Sequence, residues 1–270
     1  MITLRRDEAR QHHVRGKHEA WLTFPPVGNT DPLSGGLPFV ELLNEERLAP
    51  GSTIASQPPH DCEILTYVRE GALAFQDSTG RSRVIQAGEF HRVAPGATVR
   101  HRESNASRTE AAHAFQIWLR PPPGGLEPGQ EQMRFSAAER RGWLFLVASP
   151  DGRRGSLRLQ TDVLVYSALL ETGQHLAHDL ASGRSVWLHV VDGSVTLDDV
   201  VLTTGDGVGI SAERAVSLTA RGATEFLLLE FADLDARSRP DGVEPAPAAA
   251  ARPGAIDSKT KRATAVVVRL

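Results

Sequence analysis

The stretch Gly51-STIASQPPHDCE-Ile64, its continuation Leu65-TYVREG-Ala72 and the later run Gly88-EFHRVAPGATVRHRES-Asn105 decide how the whole chain reads. β-Branched and aromatic residues gather in short runs such as Ile64-Leu65-Thr66-Tyr67-Val68. Each run is cut off by a turn signal: Glu70-Gly71, Asp77-Ser78-Thr79-Gly80 or Ala94-Pro95-Gly96. Short strands at close, regular spacing predict a small β-barrel. In a barrel, residues i and i+2 share a face, so alternate side chains line an internal pocket. On the strand that contains Gln57, the inward series is Gln57, Pro59, Asp61 and Glu63, with His60 on the opposite parity. His101 and Glu103 share a parity downstream and are expected to converge on the same pocket. An imidazole beside a carboxylate suits Fe(II), Mn(II) or Ni(II), and a site with three protein ligands leaves positions open for oxygen and substrate.

Working outward, Ile2-Thr3-Leu4, Trp21 to Phe24 and Phe39 to Leu43 read as strands before this stretch, and Ala114 to Leu119 closes the set after it. Pro121-Pro122-Pro123-Gly124-Gly125 follows, stiff and then flexible, as a boundary between domains. The second half repeats the grammar. Gly173 takes the part of Gly51, Val186-Trp187-Leu188-His189-Val190-Val191-Asp192-Gly193 echoes Ile64 to Gly71, and Thr204-Gly205-Asp206 echoes Ala87-Gly88-Glu89. Such an internal duplication predicts two similar barrels, over 1–122 and 123–235. Ser136 to Arg141 is expected to form a short helix. The Pro/Ala-rich segment 236–270 reads as a low-complexity tail, whose last residues, Ala263 to Leu270, read either as a strand or as unstructured.

With 270 residues the chain is long enough for two cores. A net charge of −3 gives no electrostatic case for nucleic acid, and no apolar run is long enough for a membrane span or a secretory signal. Cys62 is the single cysteine, which excludes an intramolecular disulfide and zinc sites of paired cysteines. Its parity makes it a buried small hydrophobe. His175 and His178, three apart on a strand, face opposite sides and read as non-ligands. A monomeric cytoplasmic protein is expected.

The chain resembles the pirin family, two-barrel members of the cupin superfamily, and within it the bacterial quercetinase-type branch. The resemblance rests on Met1-ITLRR, Trp21-LTF, Asp31-Pro32, Leu48-APG, Glu63-ILTYV with Glu70-Gly71, Gln76-DSTG, Ala87-GEF, Arg100-HRESN, Phe115-QIW, Asp151-GRRGSL and Val186-WLHVV. It implies an all-β fold of two cupin barrels packed face to face, with few short helices. It also implies a metal, usually iron, held in the N-terminal barrel by three His and one Glu. By position, the third His is His101 and the Glu is Glu103; the first two His fall on Gln57 and Pro59. A glutamine offers a weak carbonyl oxygen and a proline no side-chain ligand, so the cofactor is expected to be absent or a weakly bound Fe, Mn or Ni ion. Glu63 sits where other cupins place a carboxylate ligand, and is a candidate third ligand or base. His60 joins the pocket only if the neighbouring proline distorts the strand. Two functions follow from the resemblance. The first is a protein that binds a small, flavonol-like molecule or a protein partner in a regulatory role. The alternative is a metal-dependent quercetin 2,3-dioxygenase-type oxygenase remodelled around His101 and Glu103.

Overall fold

The computed structural model describes residues 1–25, 31, 33–54, 62–94, 101–120, 124–233 and 267–268. Its strands are β1 (Ile2–Arg5), β2 (Gln11–Arg15), β3 (His18–Leu22), β4 (Val40–Leu48), β5 (Glu63–Glu70), β6 (Ala72–Asp77) and β7 (Ser82–Gln86). They continue as β8 (Glu89–Ala94), β9 (His101–Asn105), β10 (Ala112–Leu119), β11 (Gly129–Arg134), β12 (Phe145–Ser149), β13 (Leu157–Arg158), β14 (Val163–Leu170) and β15 (His175–Asp179). The last are β16 (Arg184–Asp192), β17 (Ser194–Leu197), β18 (Val200–Thr203), β19 (Gly207–Ile210), β20 (Ala215–Ala220), β21 (Thr224–Ala232) and β22 (Val267–Val268). One α-helix, α1 (Ala137–Arg140), is present among the described residues. It starts on a capping box in which Ser136 and Glu139 satisfy each other's backbone N–H.

Four sheets form two barrels. A seven-stranded sheet (β11-β8-β5-β10-β4-β3-β2) and a three-stranded one (β7-β6-β9) make the first; an eight-stranded sheet (β13-β12-β14-β21-β16-β19-β1-β22) and a four-stranded one (β15-β20-β17-β18) make the second. The two large sheets face each other. Leu65, Tyr67, Phe90, Phe115, Ile117 and Leu119 from the first share one core with Val163, Val165, Trp187, Leu227, Leu229 and Phe231 from the second. The all-β, face-to-face architecture is the one the resemblance implies.

The border between the barrels does not follow the chain. Strand β1 leaves the N-terminal half and pairs with β19, Leu4 opposite Val208, inside the second barrel's large sheet. In return β11, beyond the expected border at residue 122, pairs with β8 and extends the first barrel's sheet, Met133 opposite Phe90. Open sheet edges accept a strand of the right register.

Candidate active site in the N-terminal barrel

The register settles which side chains enter the first barrel. Thr66 of β5 lies opposite Gln116 of β10 and His91 of β8. Gln116 lies opposite Asn44 of β4, and Glu46, two residues on, shares that face. The smaller sheet contributes Phe75, opposite Glu103 on β9, with His101 two residues before it. All of these except the intervening outward residues are buried. The floor beneath them is apolar: Leu48, Val68, Leu73, Ile85, Val93 and Ala114.

The contacts build a polar chamber. Gln116 donates its amide N–H to Glu103 and accepts from the Trp118 indole at 3.4 Å. Glu46 pairs with His18. His101 stacks on Phe75 with centroids 5.6 Å apart, and His91 meets the same ring edge-on at 4.9 Å. Burial, reinforced by the nearby Glu46 charge and opposed by the Gln116 bond, pushes Glu103 up to about 7. Burial, with smaller contributions from Arg83 and His101 set against the bond to Gln130, pushes His91 down to about 4, so its ring is neutral at pH 7. Beside Phe75 and Gln130 a cleft of about 160 Å³ opens at the rim, bordered by Asp77, Thr79 and Arg81.

The second barrel differs in kind. Its interior is packed with Leu164, Leu188, Val190, Leu202, Val208, Leu218, Phe226 and Leu228, with Tyr166 at the edge of the cluster.

The sequence-derived site residues divide into three groups. His101 and Glu103 do share the inward face of β9. Gln57, Pro59 and His60 lie outside the described residues; the described chain reaches that segment at Ile54, whose N–H donates to the Glu103 carbonyl at 2.9 Å. Glu63 is not in the chamber, and its expected role as ligand or base is corrected. Register places it with Leu65 and Tyr67 on the face turned to the other barrel. There its fully buried carboxylate takes Arg92 Nε at 2.5 Å, the Gln160 N–H at 3.0 Å and the Thr161 N–H at 3.3 Å. Sequence reasoning also missed His91, Glu46 and Gln116. The available signal was a polar side chain interrupting an apolar run, as in Ala114-Phe115-Gln116-Ile117-Trp118.

Two donors do not make a metal cage. No group of three or more His, Cys, Asp or Glu side chains converges on one point among the described residues. The described residues therefore do not fit the four-ligand set that the resemblance implies, with His101 and Glu103 the matching pair.

The fold and chamber define a bicupin, two β-barrels of which one carries an internal polar pocket. Family models agree half by half: "Pirin" matches residues 8–119 and "Quercetinase C-terminal cupin domain" matches residues 146–231. The chain is 38% identical over 231 residues to a quercetin 2,3-dioxygenase of Escherichia coli K12, covering 86% of this chain and 99% of that protein. It is 31% identical to a pirin-like protein of Caulobacter vibrioides, over 80% of this chain and 95% of that one. The crystal structure of E. coli YhhW in complex with nickel(II) superposes with a TM-score of 0.80 at 36% identity, covering 87% of this chain and all of that one (100%). The chain belongs to the pirin family, and its relatives include proteins named as quercetin 2,3-dioxygenases.

Proposed function

We propose that the N-terminal barrel is a quercetin 2,3-dioxygenase-type pocket, which takes a flavonol-like enol into the chamber and removes its hydroxyl proton with Glu103. The observation that carries this is the placement of Glu103: an enclosed carboxylate, held in position by Gln116, on the same inward face as His101. A carboxylate raised toward neutrality is a far better base than an exposed one, because a general base works best when its pKa lies near the working pH. Gln116 fixes the oxygen that it binds and leaves the other for substrate. Phe75 and the neutral His91, set edge to face, supply a weakly polar aromatic wall for a ligand. The apolar floor excludes water from the enolate once it has formed.

His101 and Glu103 are the residues proposed to meet any Fe, Mn or Ni ion, and two protein donors make that binding weak. The relative crystallised with nickel(II) supports testing that metal first. A second reading, a monomer that binds a flavonol-like molecule or a protein partner without turnover, draws on Gln57 and Pro59 standing where the family implies His.

Oxygen consumption with quercetin separates the two. Chelator-treated protein is assayed alone and with added Ni(II), Mn(II) or Fe(II), beside Glu103→Gln and His101→Ala. Oxygen uptake that Glu103→Gln abolishes supports the oxygenase. Absence of uptake under all four conditions overturns it. Quercetin binding that persists in that case selects the binding protein.

A further inference from the structure

Strand β22 joins the edge of the second barrel's large sheet by pairing with β1, Ile2 opposite Val268 and Thr3 opposite Val267. It is separated from β21 by more than thirty residues of Pro/Ala-rich sequence, and the C-terminal family model ends at residue 231, before this segment begins. Beside the same β1 edge runs a groove of about 420 Å³ at the seam between the barrels. Its walls are largely apolar, with Leu33, Leu37 and Pro38 on one side and Val186, Ile210 and Phe231 on the other; Asp233, where the described chain leaves β21, stands at its border.

We propose that this edge and the groove beside it form a docking site for the chain's own C-terminal end, seated through Val267–Val268. Two observations favour that occupant. The register is already seated on β1. The run Ala265-Val266-Val267-Val268 is apolar at every position, so either face suits an apolar groove and the β-branched residues suit a strand. A strand edge without a partner invites pairing with other chains, and a tethered strand removes that hazard. Length is no barrier, because roughly thirty residues at about 3.3 Å each span far more than the few strand widths to be crossed. The tether makes docking an intramolecular event, so pairing too weak to hold a free peptide at micromolar concentration still fills the site.

The test is hydrogen exchange of the full chain at residues 1–6, beside a Val267→Pro/Val268→Pro variant. Proline cannot donate to the ladder. The expected result is an exchange rate at β1 about tenfold or more higher in the variant, with the rest of the second barrel unchanged, as for loss of one local edge strand. A shortened chain ending at residue 235 should show the same exposure, and an added synthetic peptide of residues 261–270 should restore protection. All forms should sediment as monomers. Unchanged exchange at β1 in both altered proteins overturns the proposal. Concentration-dependent protection together with a doubled mass overturns the intramolecular form, since the occupant would then be the strand of a second copy.

Discussion

Replacing Glu63 by Ala is expected to loosen the joint between the barrels and to leave the chamber chemistry standing. The Glu63 carboxylate is fully buried and receives Arg92 Nε, two backbone N–H groups and the Thr161 hydroxyl. Alanine removes every one of those acceptors at once. The Arg92 side chain, only 6% exposed, then keeps its charge in a site without a counter-charge. Breaking a buried pair from one side costs about 3–5 kcal/mol, and the stranded N–H groups of Gln160 and Thr161 push the value toward the upper end. Glu63→Gln keeps one acceptor oxygen and is expected to cost about half as much. Denaturant unfolding measures both. A Glu63→Ala/Arg92→Ala pair should recover part of the loss, because the unpaired charge goes with its partner. Two results would refute the reasoning: a Glu63→Ala cost below about 1 kcal/mol, or a variant of normal stability that no longer binds quercetin or metal. The second would return Glu63 to the pocket.

The raised pKa of Glu103 has a stability consequence of definite sign. Its folded pKa lies near 7 against an ordinary value of 4.5, so its contribution is full below 4.5 and is lost as pH rises through 7. The loss is on the order of 3 kcal/mol, and Glu103→Gln should flatten that part of the pH profile of thermal unfolding. Glu45 behaves oppositely. Burial works against its ionisation, but the His113 bond and the Arg10 charge prevail and hold it down to about 2. Its contribution is present above 4.5 and lost as pH falls toward 2, so Glu45→Gln should reduce stability at pH 7 and weaken the acid transition. At Gly207 a Cβ would stand 2.3 Å from the Trp187 ring, itself buried in the core between the barrels. Gly207→Ala should therefore cost about 1–3 kcal/mol by overpacking, read from the denaturation midpoint.

The amino-acid sequence determined the strand grammar by itself. Alternation, β-branched runs and turn signals are local properties, and they placed β5, β6, β10, β14, β16 and β21, the short helix α1 and the duplication into two barrels. The pairing of His101 with Glu103 was legible for the same reason, since both sit on one short strand with a period of two. What lies across the sheets was not. Glu63 was assigned to the chamber by alternation counted from Gln57, and only the register with β8 and β10 shows that it faces the other barrel. Gln116, Glu46 and His91 meet Glu103 and His101 from strands far apart in the chain, a convergence set by sheet closure. The exchange of β1 for β11 between barrels likewise depends on which edges the folded sheets leave open. The opening stretch thus fixed the existence of a pocket, while the tertiary structure decided its contents, because pairing partners are chosen by geometry across the fold and not by neighbourhood in sequence.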